Sequence, residues 1–177
     1  MNQLPIDLKR IEQSGGKVVM HKTPETILEK NNLKFLVSGE IKRTHEEEQF
    51  SKFLINRDGI IKNDEILDDK CLIIELETSV ILLNGCCHSG IMNTLDYVKE
   101  LTDKPISHII GGFHMANSTP ERIKATMNYL RDFQEENLIL FPIHCSGNNF
   151  VKNVNAINAP NIKAFNASVG TAFNFSF

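Results

Sequence analysis

The stretch Val80-Ile81-Leu82-Leu83-Asn84-Gly85-Cys86-Cys87-His88-Ser89-Gly90 constrains this chain more than any other. Its apolar run of β-branched and aliphatic residues reads as a buried strand. The run stops at Gly85. Two thiols and an imidazole follow in consecutive positions, and Ser89-Gly90 opens a helical segment over 91–101. Metal-capable side chains where a buried strand hands over to a helix are a common place to build a site.

The same arrangement recurs twice. Residues 106–114 are an apolar run ending in Gly111-Gly112-Phe113-His114, and residues 138–147 are another ending in His144-Cys145-Ser146-Gly147. Helical patterns over 91–101 and 120–133 separate the three. Strand, helix, strand, helix, strand predicts parallel strands joined by right-handed crossovers. Parallel strands end on one edge of a sheet, so His88, His114 and His144 should emerge together there despite their separation in sequence.

Composition removes several classes of function. The chain has 177 residues, enough for one domain, and 41% hydrophobic residues, adequate for a core. Its net charge of −3 and the lack of a basic cluster argue against a nucleic-acid partner. No run of about 18 apolar residues predicts a membrane span. The start, Met1-Asn2-Gln3-Leu4-Pro5, shows no secretory pattern. Cys71, Cys86, Cys87 and Cys145 include no Cys-x-x-Cys pair, which fits free thiols in a reducing cytoplasm.

The rest of the chain reads as a short amphipathic helix over 6–13, a strand over 17–20, a helix fragment over 25–30 and a strand over 33–41. A hairpin follows around Arg57-Asp58-Gly59. Residues 71–77 and 79–84 read as paired strands. Beyond the third histidine come a helix over 148–157 and terminal strands over 161–166 and 171–175. Glu46-Glu47-Glu48 reads as a solvated face, and Asp68-Asp69 as a loop with ligation as the lesser alternative.

Three histidines plus water make an open site for zinc, iron, manganese or cobalt. Cys87 and Cys145 can ligate or can tune the ligands from behind. Strand alternation turns Cys86 into the core, opposite Cys87. Helix N-termini after Ser89-Gly90 and Ser146-Gly147, with the bare backbone of Gly111-Gly112, favour an anion such as phosphate or carboxylate. A thiol hydrolase built on Cys87 and His114 is a further option. The bland readings apply elsewhere: His108 lies within its strand, His21 and His45 lie in polar turns, and Cys71 is a small core residue.

Four segments resemble one branch of the metallo-β-lactamase-fold hydrolases. Gly85-Cys86-Cys87-His88-Ser89-Gly90-Ile91, with Asn93, resembles its Gly-Cys-Ser-His-Pro-Gly-Ile-x-Asn. Gly111-Gly112-Phe113-His114-Met115 resembles Gly-Gly-Phe-His-Leu. His144-Cys145-Ser146-Gly147 resembles His-Cys-Thr-Gly, and Ser38-Gly39-Glu40-Ile41-Lys42-Arg43 resembles Thr-Gly-Glu-Ile-Pro-Arg. The branch includes archaeal enzymes similar to dihydropterin ribofuranosyl-aminobenzene 5'-phosphate synthase. Cys87, Ser89 and Lys42 depart from the pattern and alter the fine shape of the pocket.

The resemblance implies an α/β (α+β) fold: half of an αββα sandwich, a mixed sheet with helices on one face, over a single domain 1–177. The superfamily's His-x-His-x-Asp-His motif is absent from this sequence. A lone half would leave an apolar sheet face of several hundred Å² open, at a cost on the order of 10 kcal/mol. A homodimer, or a heteromer with a chain bearing the N-terminal half, is therefore expected. The implied function is a metal-dependent hydrolase, or a phospho-ligand transferase, acting on a phosphorylated or ester small molecule once a partner completes the site. Its implied cofactor is a divalent metal, zinc foremost, as one or two ions. His144, His88 and Cys87 are the expected metal ligands. His114 and His88 are the expected catalytic groups. Ser89, Gly90, Gly111, Gly112, Ser146 and Gly147 are the expected anion contacts. The competing expectation is an inactive small-molecule or protein-binding module on the same fold.

Overall fold

A computed structural model describes residues 8–48, 53–133 and 137–175. The elements run α1 (Leu8–Gln13), β1 (Glu25–Lys30), β2 (Leu33–Val37), β3 (Leu54–Arg57), β4 (Ile60–Asn63), β5 (Cys71–Glu75), β6 (Val80–Asn84), α2 (Ile91–Leu101), β7 (Ile106–Gly111), α3 (Pro120–Asp132), β8 (Leu138–Pro142), α4 (Phe150–Ala156) and β9 (Ile162–Ala164). Seven strands form one mixed sheet in the order β1-β2-β5-β6-β7-β8-β9, and β3-β4 stand apart as a hairpin. β1, β2, β5 and β6 pair antiparallel, whereas β6, β7, β8 and β9 pair parallel. This is the expected mixed α/β architecture.

The parallel half explains why the helices share a face. Its strands advance in one direction, β6 to β9. Right-handed crossovers that never reverse direction put every connecting helix on the same side of the sheet. There, Leu82, Ile109, Leu138, Leu140 and Ile162 join Ile91, Leu95 and Val98 of α2, Leu130 of α3 and Phe150 and Val154 of α4 in one buried cluster. Local chemistry agrees with this packing. Thr119 caps α3, its hydroxyl accepting from the Arg122 amide, and Pro120 takes the first helical turn.

The opposite face has no helix among the described residues. Alternation places Leu72, Ile74, Leu83, Ile110, Ile139 and Phe141 there, all half-buried, although Ile81 on the same face is buried. The C-terminal segment folds back over part of it. Phe165 and Phe173 pack on Phe141 at 5.9 and 4.7 Å between ring centres, and Phe175 meets the His108 ring at 5.0 Å.

Four sequence expectations need correction. Residues 25–30 are strand β1, not helix. Asn31 and Asn32, both at positive φ (52° and 64°), close a two-residue hairpin that pairs Lys30 with Leu33. That turn needs positive φ at both central positions, which asparagine tolerates, and ladder pairing then overrides helix propensity. Residues 17–20 and 171–175 form no strand. Glu48 is not solvated: it is 1% exposed and accepts from the Asn93 amide at 2.9 Å. The helix expected at 6–13 is α1, residues 6 and 7 lying outside the described set. No helix among the described residues is long and apolar enough to cross a membrane.

Candidate functional site

The C-terminal ends of β6, β7 and β8 lie side by side, as the crossovers require. The His88 and His114 rings meet edge to face, 4.6 Å between centres. His144, after β8, stands with its Nδ1 3.3 Å from the Cys86 Sγ after β6. All three histidines thus follow adjacent strand ends. Cys87, His114 and His144 each adopt positive φ, at 57°, 47° and 54°. For residues with a Cβ this costs about 1–3 kcal/mol each, and such strain collects at functional edges. Close backbone approach makes the turns possible. A Cβ on Gly112 would lie 2.6 Å from the Gly85 carbonyl oxygen and 2.8 Å from the Cys145 Sγ, so only glycine lets the β6 and β8 loops close over the end of β7.

The two adjacent thiols sit opposite to expectation. Cys87, 3% exposed, points into the core with its Sγ 3.4 Å from the Thr94 hydroxyl, and Cys86 faces the edge. The reason is the turn: strand alternation ends at Gly85, and positive φ at Cys87 redirects the chain. Burial raises the Cys87 thiol well above the usual range, so it stays protonated within the core. Contrary to expectation, Cys87 therefore offers its sulfur neither to a metal at the edge nor as a nucleophile. Burial followed by the neighbouring Cys145 raises Cys86 as well. The Cys145 thiol donates to the Cys86 carbonyl at 3.4 Å.

The predicted anion contacts are present at the edge, but most of their amides are committed. Ser89 N–H donates to the Asp69 carboxylate at 2.7 Å, Gly90 N–H to the Cys87 carbonyl, Gly112 N–H to the Gly85 carbonyl and Ser146 N–H to the Ile143 carbonyl. The positive end of α2 already holds a carboxylate, that of Glu48, whose Oε2 would clash with a Cβ on Gly90 at 2.2 Å. Burial raises the Glu48 carboxyl above its ordinary range. Ser146 Oγ accepts from Phe113 N–H at 3.1 Å and donates to the Ile143 carbonyl, which locks the β7 and β8 loops together. Gly147 stands three residues before α4, a helix of only seven residues, so it presents no helix N-terminus to a ligand. Gly111 ends β7, its carbonyl accepting from Ile143 N–H.

Two residues, Arg122 and Phe53, carried no sequence signal, and a third, Asp69, had one only as a loop carboxylate. Asp69 holds the Ser89 amide and lowers the potential around the edge. Arg122, on α3, donates to the His114 carbonyl at 2.8 Å and to Ser118 Oγ at 2.9 Å, fixing the strained backbone of His114. Phe53, just before the β3-β4 hairpin, lies tilted against both rings, with centres 5.1 Å from His88 and 6.0 Å from His114. The Asp68-Asp69 pair was visible as a polar loop. Phe53 and Arg122 carried no local signal, because a hairpin base and a helix residue meet these histidines only through tertiary folding.

Burial first, then His88 and Arg122, hold His114 below the ordinary imidazole range, so it is neutral at neutral pH. His108 remains in β7 with its Nδ1 3.0 Å from Ser107 Oγ, away from this cluster. His45 is not simply solvated: its Nε2 lies 2.7 Å from Asp96. The donor chemistry suits a divalent ion. Among the described residues, one set of three metal-capable donors converges within 4.8 Å: Cys86, His144 and Cys145.

No family model matches the sequence. The chain is 34% identical over 112 residues to an uncharacterized protein of Methanocaldococcus jannaschii, covering 63% of this chain and 40% of that protein. It is 25% identical over 138 residues to the 7,8-dihydropterin-6-methyl-4-(beta-D-ribofuranosyl)-aminobenzene-5'-phosphate synthase of the same organism, covering 77% and 46%. The chain thus spans less than half the length of the curated relatives it matches. A crystal structure of a metal-dependent hydrolase of the β-lactamase superfamily aligns with a TM-score of 0.72 and 21% identity, over 92% of this chain and 59% of that one. Over the part of the architecture that its residues span, this chain has the fold of the β-lactamase superfamily.

Proposed function

We propose that this chain contributes to a metal-dependent hydrolase acting on a phosphorylated or ester small molecule. The observation that carries the reading is the edge itself: His88, His114 and His144 at adjacent parallel strand ends, two of them in strained backbone. His144 and His88 would hold a divalent ion, zinc foremost. Such an ion activates water or polarises a phosphoryl or ester oxygen. His114, neutral and fixed by Arg122, contacts the substrate and accepts or returns a proton at its ring. Phe53, against both the His88 and His114 rings, screens that proton from bulk water. Asp69, bound to the Ser89 amide, steadies the loop that carries His88.

A second polypeptide layer completes the site in this reading. The half-buried apolar face of the sheet, over which no helix lies among the described residues, supports it, since contiguous apolar surface of that kind marks an interface. The layer comes from a partner chain or a second copy and brings further ligands. Four free thiols suit a reducing, cytoplasmic setting.

Purification of the tagged chain with its natural partners tests the proposal. Elemental analysis should find a divalent metal in the complex, and bis-p-nitrophenyl phosphate or p-nitrophenyl acetate should be hydrolysed. His144→Ala should lower metal content and rate by at least about tenfold, as loss of a ligand or its support does. His108→Ala should leave both intact. Equal losses from the two variants would sink the role assignment. A metal-free complex without turnover would leave a binding module on this fold.

A further inference from the structure

We propose that Cys86, Cys145 and His144 together form a thiolate-rich site that holds one zinc-class ion on this chain alone. The proposal rests on the metal reading above but shares only His144 with the pair named there, placing two thiols where that reading has His88, and it stands even if the complex proves inactive.

Three observations converge. First, the topology brings the donors together across a strand. Cys86 follows β6, His144 and Cys145 follow β8, and β7 lies between. β7 ends in Gly111-Gly112, and the missing Cβ of Gly112 leaves the space in which the Cys145 sulfur sits. Any larger residue there would push the two loops apart. Second, the distances suit coordination. Zinc takes sulfur at about 2.3 Å and imidazole nitrogen at about 2.0–2.1 Å, so donors in a tetrahedron lie about 3.6–3.8 Å from one another. Cys86 Sγ and His144 Nδ1 are 3.3 Å apart, and the three donor atoms all lie within 4.8 Å. Small side-chain rotations close that difference. Third, the site is accessible yet supported. His144 is exposed and both cysteines are half-buried, which leaves a fourth position for water or another ligand.

Two sulfur donors set the chemistry. Thiolates select zinc over magnesium, calcium or manganese, which prefer oxygen. Binding forms two metal–sulfur bonds and one metal–nitrogen bond, and the two thiol protons pass to solvent. No oxidation or reduction is involved. Cys71 and Cys87, both in the core, are the internal controls, because neither can reach this edge.

The test is a cobalt(II) titration of the whole 177-residue chain, kept reduced by a phosphine. One equivalent should bind, with a sulfur-to-cobalt charge-transfer band in the near ultraviolet and the visible bands of a tetrahedral ion; zinc should displace it. Cys86→Ser and Cys145→Ser should each weaken the band and the affinity at least about tenfold, whereas Cys71→Ala should preserve both. In the wild-type chain, zinc should also protect Cys86 and Cys145 from iodoacetamide, mapped by mass spectrometry, which needs no variant to fold. Cobalt bound without the charge-transfer band would overturn this site and leave the histidine reading alive. Failure of the reduced chain to bind cobalt would overturn it too. A full band in a complex that hydrolyses nothing would uphold this site and end the hydrolase reading.

Discussion

On one face of the seven-stranded sheet, Leu82, Ile109 and Leu140 are completely buried beneath α2, α3 and α4. On the other, Leu83, Ile110 and Phe141 are the next residues along the same strands, and they are only half-buried. The residue types hardly differ. What differs is the cover: three crossover helices on the first face, a phenylalanine-bearing C-terminal segment on part of the second. Apolar sequence thus sets a demand for burial, and the direction of strand advance decides which face meets it.

Large-to-small changes should break or confirm this contrast most visibly. We expect Leu82→Ala to destabilise the chain by about 2–5 kcal/mol in urea unfolding, through lost transfer energy and an unfilled cavity. Leu83→Ala should cost the isolated chain less than half as much. Equal costs would mean that both faces are equally packed.

Charge on the open face gives the next effect. Ile110→Glu should leave the isolated chain folded, with a loss of no more than about 1–3 kcal/mol, because its carboxylate can reach water. The same change should abolish assembly with the proposed second layer, read by size-exclusion chromatography with light scattering. Assembly that survives Ile110→Glu would place the partner elsewhere.

Arg122→Met sharpens the comparison at the edge. It removes the charged donor to the His114 carbonyl, and a loss of about 1.5–3 kcal/mol is expected from a hydrogen bond to a charged group. The His88–His114 ring contact, followed by the shift of the His114 ring protons in NMR, should change with it. An unchanged His114 environment would free Arg122 from its positioning role.

The smallest expected effect is a pH dependence on the open face. Burial lowers His108 below the ordinary imidazole value, so the folded chain prefers its neutral form. The unfolded chain therefore binds more protons, and stability rises with pH across this titration. The contribution is complete above about pH 6.5 and is lost as pH falls from there toward the folded value. The urea midpoint should fall by less between pH 7.5 and 5 in His108→Leu than in the parent. An identical pH profile in both would show that the C-terminal segment leaves His108 hydrated.

Much of the candidate site was legible before folding. Apolar runs that end in Gly and His announced β6, β7 and β8, and helical patterns over 91–101 and 120–133 announced the crossovers. Their alternation was enough to align His88, His114 and His144, because parallel strands share an end. The orientation of Cys86 and Cys87 was not legible. Alternation assigns faces only while the chain stays extended, and the positive φ of Cys87 lies just beyond that limit. Strand β1 was misread because its six residues carry little alternation, and the Asn31-Asn32 turn that creates it is recognised only once β2 is there to pair.

The sequence by itself determined the alternation of strand and helix from β6 to β8, the edge on which three imidazoles emerge and the demand of both sheet faces for burial. These follow from short-range pattern and from the handedness of the crossovers. Only the tertiary structure decided which thiol faces the edge, that Glu48 fills the positive end of α2, and that Phe53, Asp69 and Arg122 close around the histidines. Those outcomes depend on backbone turns and on contacts between residues far apart in the chain, where packing rather than local preference selects the neighbour.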